Sequence, residues 1–270
     1  MNGGGILGII IGIVNQKGGV GKTTTAVNIA AGLGALGKKT LIIDFDPQGN
    51  TTTGFGIKKK TLDLTAYDVV TGRCRAQEAI IETRYKNISL LPATNKLCDA
   101  EVALNSKEER HLQLRKAILP LREKYDIIII DSLPSLGVLA VNALAASNTV
   151  IVPMVCEHFA REGLAQLMYS IKNIRSRYNR GLSFMGIVLT MVDKRLLSGN
   201  EIKADIKDVF KDDVFKTEIP RNVKISEAQS HGEPIMYYDK RSAGAEAYLK
   251  LSKEIIKKIR EMEKSDGAKK

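Results

Sequence analysis

The sequence predicts an α/β fold, a mostly parallel twisted sheet with helices on both faces, and three observations predict it. The glycine-rich turn Lys17-Gly18-Gly19-Val20-Gly21-Lys22-Thr23-Thr24 joins an apolar run to a helical pattern. Short apolar runs then recur along the chain with helical stretches between them, which requires crossover connections and hence parallel strands. Lys17, Asp44, Asp131 and Thr190 all fall at or just beyond the ends of such runs, where open parallel sheets collect their ligands.

Taken in order, Ile6 to Val14 reads as a first buried strand and Thr24 to Leu36 as the first helix. Further strands are expected at Thr40 to Ile43, Ile88 to Leu91, Ile127 to Ile130, Val150 to Pro153 and Phe184 to Thr190. The 270 residues show no break in composition and no internal repeat, so one domain over 1–270 is expected. Met1 to Gly5 read as a flexible leader and Ser265 to Lys270 as a frayed tail.

The chain carries 41 Lys and Arg against 30 Asp and Glu, a formal charge of +11, and a sequence pI near 9.5. Such an excess favours a polyanionic partner, although solubility alone also accounts for it. Cys74, Cys98 and Cys156 have neither C-x-x-C spacing nor a histidine cluster nearby, so neither a disulfide framework nor a zinc site is supported. His111, His158 and His231 are scattered and read as surface or loop residues. The run Ile6 to Val14 is too short to span a bilayer and lacks the basic leader of a signal peptide, so a cytoplasmic protein is expected.

The glycine-rich turn is a phosphate-binding loop. Its glycines let successive backbone amides turn inward around an anion, and the following helix adds its positive end. Lys22 is expected to pair with the β- and γ-phosphates and the Thr23 hydroxyl to sit on Mg²⁺. Gln16 stands where the common G-x-x-x-x-G-K-[ST] pattern has its first glycine, and a second lysine, Lys17, follows it. A cation there is on the wrong side of the loop to duplicate Lys22.

Two carboxylates, Asp44 and Asp46, close the second strand. They point the same way if the strand continues. A carboxylate facing a γ-phosphate cannot stabilise a negative transition state, so Asp46 is useful for orienting water or taking its proton. Asp131 ends the apolar run Ile127 to Ile130 in the manner of a Walker B element, which reaches Mg²⁺ directly or through water. Ser135 has no histidine near it in sequence, so metal and interface duties suit its loop better than nucleophilic catalysis.

The two-lysine loop resembles the deviant Walker A motif of the ParA/MinD family, a branch of the P-loop NTPase fold. Asp46-Pro47-Gln48 and Ser132-Leu133-Pro134-Ser135-Leu136-Gly137 resemble the next two fingerprints, with Leu133 in place of the first proline of Asp-x-Pro-Pro-Ser-Leu-Gly. Similarity to the ParA/Soj partition ATPases continues through Gln48 to Gly54, Pro153 to Glu157, Glu162 to Leu164, Leu189 to Arg195, Ile219 to Ala228 and Tyr238 to Glu246. The resemblance implies that Lys17 crosses a dimer interface to the partner's nucleotide and that Asp46 positions the attacking water. It places Lys17, Gly18, Gly19, Val20, Gly21, Lys22, Thr23 and Thr24 around the phosphates. Pro220, Arg221 and Asn222 fall beside the adenine, and Thr23 and Asp131 at the metal.

Arg195 and Lys224 sit where Soj-like relatives hold DNA. The resemblance therefore implies an ATPase that uses ATP and Mg²⁺, forms a homodimer on ATP binding and binds double-stranded DNA without sequence preference. It also implies a ParB/Spo0J-type centromere-binding partner and association with the nucleoid. Gln229 replaces the proline of Glu-Ala-Pro-Ser, which predicts a less rigid loop. Lys172, Arg175, Arg177 and Arg180 read as the solvated end of a helix. The stretch Ile255 to Met262 has some amphipathic character and leaves open a MinD-like membrane-cycling regulator. Leu249 and Leu251 extend the same apolar face, which favours a helix packed on the domain. A metabolic transferase or iron–sulfur reductase lacks the paired cluster cysteines it would need.

Overall fold

The computed structural model describes residues 7–135, 137–157, 160–193, 195 and 197–267. The expected leader 1–5, the tail residues 268–270, and Leu136, His158 and Lys194 lie outside them. The strands are β1 (Ile9–Ile13), β2 (Thr40–Phe45), β3 (Ile81–Glu82), β4 (Ile88–Leu91), β5 (Ile127–Ser132), β6 (Thr149–Val155) and β7 (Ser183–Thr190). They form one sheet in the order β3-β4-β2-β5-β1-β6-β7. Every pairing is parallel except that of β3 with β4, a two-residue antiparallel edge too short to leave a sequence signal.

Both faces of the sheet are covered, and the strand alternation shows it. Ile127 and Ile129 belong to one core with the helix α1 (Lys22–Ala35), whereas Ile128 and Ile130 belong to another with Leu139 and Ala143. Strands buried on two sides have no polar face to give, which is why β5 reads as four isoleucines in a row. Two further short helices matter below: α2 (Asn50–Gly54) follows β2, and α3 (Val138–Ala146) precedes β6. Beyond them lie α4 (Ala160–Arg177), α5 (Leu197–Phe210), α6 (Val223–Ser230) and α7 (Ala243–Gly267).

The last helix, α7, packs along α1 on one face of the sheet. Leu251, Ile255 and Ile259 are buried there in the same core as Ile29 and Leu33, and Leu249 is half-buried. The approach is close enough that a Cβ at Gly32 would overlap Ser252 Oγ and lie 2.9 Å from Ser252 Cβ. The helix continues to Gly267, so the first three residues of the expected tail are helical.

Strand limits differ from the sequence reading by one to three residues. β1 starts at Ile9 rather than Ile6, with Leu7 exposed and the Gly8 amide donating to the Arg122 carbonyl at 2.8 Å. β2 and β5 run on to Phe45 and Ser132, because backbone pairing carries Asp44, Asp131 and Ser132 past the apolar stretch, and β6 runs on to Val155 by its pairing with β7. The first helix begins at Lys22, two residues before the pattern shows it.

Candidate nucleotide site

The phosphate loop leaves β1 and turns back through two left-handed glycines, Gly19 at φ 73° and Gly21 at φ 83°. A Cβ at Gly19 would meet nothing within 4 Å, so the dihedral angle and not space is what demands glycine there. Gly21 precedes α1 without a side-chain cap, which leaves the first amides of the helix open to an anion. The buried Thr190 hydroxyl lies 2.9 Å from the Val20 carbonyl and 3.1 Å from that of Met154, fastening the loop to the ends of β6 and β7.

The two lysines part company. Lys22 is 8% exposed and its Nζ donates to the Lys17 carbonyl at 3.1 Å, so the loop closes on its own lysine. Burial lowers the Lys22 pKa, and the charges of Asp131 and Asp46 pull it back up. Lys17 extends the other way and pairs with Glu157 Oε2 at 2.7 Å, both side chains about half exposed. Glu157 closes the Pro153 to Glu157 motif just beyond β6.

The three carboxylates take separate positions. β2 ends at Phe45, so Asp44 and Asp46 are not two members of one continuing strand. Asp44 is fully buried, and its Oδ2 accepts from the Thr52 amide at 2.7 Å and the Thr52 hydroxyl at 2.6 Å. The Thr52 hydroxyl in turn accepts from the Ala93 amide at 3.0 Å, which ties α2 to the segment after β4. Asp46 lies in the turn, half-buried, with Oδ1 accepting from the Gln48 amide at 2.9 Å.

Asp131 is fully buried, and its Oδ2 accepts from the Thr51 hydroxyl at 2.7 Å, with the Thr23 hydroxyl near enough to favour the charged carboxylate. Its Oδ1 is buried without any partner. Burial raises the Asp131 carboxyl to about 7, with the Asp44 charge adding to the rise, and raises Asp44 to about 6 against the Thr52 hydrogen bonds. An orphaned carboxylate oxygen beside a threonine hydroxyl fits a hard cation. Among the described residues no group of three or more His, Cys, Asp or Glu could hold a metal alone. The donor set therefore suits Mg²⁺, which is commonly held by one or two protein oxygens together with phosphate and water.

Pro220, Arg221 and Asn222 line a cavity of about 290 Å³ that also touches Gly21, Thr24 and Tyr248. Gly21 of the phosphate loop is part of the lining, and Asn222 Oδ1 is buried without a hydrogen-bond partner. Gln229 does not belong to a loop, contrary to the sequence reading. It lies in the last turn of α6, where a proline would remove one backbone donor, and its Oε1 accepts from the Thr24 hydroxyl at 3.3 Å.

Arg195 and Lys224 are both accessible and both paired within the chain. Arg195 is 87% exposed and grips Asp193 through two nitrogens at 2.9 and 2.7 Å, holding that carboxyl down at about 2. Lys224 reaches Glu227 Oε2 at 2.8 Å, and that oxygen also accepts from the Tyr238 hydroxyl. Arg175 and Arg177 end α4 and Lys172 lies within it, all three exposed as expected, whereas Arg180 falls in the turn beyond the helix. Sequence reasoning assigned no role to Thr51, Thr52 or Glu157. A threonine run eight residues past a buried strand-end aspartate was the available signal for the first two.

Residues 8–184 match the AAA domain family. The chain is 46% identical over 249 residues to the sporulation initiation inhibitor protein Soj of Bacillus subtilis, covering 92% of this chain and 98% of that one. It is 45% identical over 250 residues to the chromosome-partitioning ATPase Soj of Treponema pallidum, covering 93% and 98%. Among solved structures, cobyrinic acid a,c-diamide synthase from Mycobacterium smegmatis with bound ADP and magnesium superposes with a TM-score of 0.83. That protein is 31% identical, with 94% of this chain and 96% of that one covered. No helix among the described residues is long and apolar enough to cross a membrane.

Proposed function

The chain belongs to the Soj/ParA family of chromosome-partitioning ATPases, and from that premise we propose that it is a nucleotide-gated DNA clamp. ATP closes a homodimer face to face, the dimer holds duplex DNA by its phosphates, and slow hydrolysis lets it go. The single observation that carries this reading is the divergence of the two lysines. Lys22 is turned into the loop, within reach of the phosphates of its own protomer, while Lys17 is held outward on Glu157. An exposed ion pair of that kind is worth about 0–1 kcal/mol. It parks the lysine without preventing it from moving to a triphosphate on a second copy.

The remaining residues divide the chemistry. The amides of Gly18 to Thr24 and the Lys22 ammonium hold the β- and γ-phosphates. Bound at Thr23 and Asp131, Mg²⁺ would supply neutralising charge on the phosphate oxygens. Thr51 and Thr52 fix Asp131 and Asp44 from one short helix. Asp46, close enough to Lys22 and Asp131 to perturb both, orients water for in-line attack on the γ-phosphorus, with ADP leaving. Pro220, Arg221 and Asn222 take the base, and the unpartnered Asn222 Oδ1 suits an exocyclic amine.

Arg195 and Lys224 supply contacts to DNA phosphates once they exchange Asp193 and Glu227 for the polyanion, and such contacts carry no sequence information. A ParB/Spo0J-type protein is the expected stimulator, and the nucleoid the expected location. The membrane-cycling alternative has less to rest on, since α7 places Ile255 and Ile259 in the core.

Three variants test the reading in one set of assays: nucleotide binding, sedimentation of the ATP form, and ATP turnover with duplex DNA. Lys22→Ala abolishes ATP binding. Lys17→Ala binds ATP but neither dimerises nor turns it over, and Asp46→Ala stays dimeric on DNA with hydrolysis lost. A Lys17→Ala protein that dimerised and hydrolysed like wild type would overturn the proposal.

A further inference from the structure

A second basic surface lies away from the nucleotide site, at the other end of α5 from Arg195. Here the turn after α5 and the segment Val214 to Lys216 face α7 across an open groove of about 710 Å³. Lys207, Lys211, Lys216, Lys253, Lys257 and Lys258 line it, against three carboxylates.

Two of the carboxylates already have partners within the chain. Glu254 is turned to the backbone: its Oε1 accepts from the Lys216 amide at 2.7 Å, and its Oε2 from the Thr217 amide and hydroxyl at 3.1 and 2.8 Å. Glu261 faces Lys257 at 3.7 Å. Lys258 is built into the wall, donating to the Met185 and Asp212 carbonyls at 3.1 Å each and lying 5.0 Å from the Phe215 ring centre. Lys207 pairs with Glu218 outside the groove at 2.7 Å.

Lys211, Lys216 and Lys253 form no ion pair among the described residues. Lys211 also holds a left-handed backbone at φ 41°, a conformation that costs a side-chain-bearing residue energy. A charged side chain is thus kept at a position where glycine would relax the chain.

We propose that this groove is a second contact zone for the phosphate backbone of duplex DNA, extending along α5 from the contact at Arg195. The proposal rests on the DNA-binding reading above and assigns to it residues that the family resemblance did not. Length supports it: α5 has 14 residues, or about 21 Å at 1.5 Å per residue. Duplex DNA carries a charge about every 1.7 Å of axis with both strands counted, so a duplex of that length carries about twelve phosphates in all, only part of them on the side toward the protein. Arg195 and Lys224 alone leave most of that span without a cation.

The test is duplex binding by fluorescence anisotropy at several salt concentrations, with ATP and Mg²⁺, for wild type, Lys211→Gln/Lys216→Gln/Lys253→Gln, and the same three positions changed to Arg. Each phosphate that goes unneutralised lowers the slope of log affinity against log salt by about 0.9. The Gln variant is therefore expected to lose up to about 2.7 in slope per protomer, three times that increment, and roughly tenfold or more in affinity at low salt, with DNA-independent ATP turnover unchanged. The Arg variant keeps the slope.

Equal slope and affinity for the Gln variant and wild type would overturn the groove assignment. If Arg195→Ala/Lys224→Ala then abolished binding, the DNA reading would stand without the groove. Absence of duplex binding by wild type in every nucleotide state would remove both.

Discussion

Replacing Thr52 with valine removes one hydroxyl and breaks two bonds that no water can replace. In the native site that hydroxyl donates to Asp44 Oδ2 at 2.6 Å and accepts from the Ala93 amide at 3.0 Å, and Thr52 is fully buried. Losing a hydrogen bond to a charged group costs about 1.5–3 kcal/mol, and a buried amide left without an acceptor about 1–3 kcal/mol. Together they come to about 4 kcal/mol, a large part of the roughly 5–15 kcal/mol typical of whole proteins. In a chain of this size that is a fall in Tm of about 8–16 °C.

Urea unfolding followed by circular dichroism reads the loss as a lower midpoint at constant m-value. Thr52→Ser keeps both bonds and loses only a methyl group, so it is expected to cost about 1 kcal/mol. The neighbouring Thr51 carries the bond to Asp131, so Thr52→Val also weakens stabilisation by Mg²⁺ and nucleotide in a thermal-shift assay. A loss below about 1 kcal/mol for Thr52→Val would refute the reasoning, because it would mean that Asp44 and the Ala93 amide are satisfied some other way.

Two further outcomes follow from buried groups. Asp44 and Asp131 hold protons more tightly folded than unfolded, with carboxyls raised from 3.8 to about 6 and about 7. Their contribution to stability is complete below 3.8 and is lost as pH climbs through about 6 to 7. Metal-free protein is therefore expected to lose midpoint stability over that window, and Asp131→Asn to flatten the loss; a slope unchanged in Asp131→Asn refutes it. Gly32→Ala forces a methyl group into Ser252 and is expected to destabilise by about 1–3 kcal/mol in urea, in spite of alanine's better helix propensity. Adding Ser252→Gly should recover part of the loss, and no recovery would show that the contact with Ser252 is not its cause.

Much of the fold was legible because buried parallel strands leave a loud signal: the four isoleucines of β5 could face nothing but two apolar layers. The phosphate loop was equally plain, since Gly19 and Gly21 adopt the left-handed angles its spacing demands. Side-chain partners were not legible. Thr51 and Thr52 look like any polar turn until the fold brings Asp131 across 80 residues to meet the first. Glu157 meets Lys17 over 140 residues of sequence, a separation at which no periodicity speaks. Gln229 misled because a missing proline reads as looseness in a loop and as comfort in a helix, and only the backbone decides between them.

Thr190 stands between the Val20 and Met154 carbonyls with a single hydrogen to give. At any instant one of those oxygens goes without it. The grip on the phosphate loop is thus a shared tether, with a spare acceptor already waiting on whichever side has just been released.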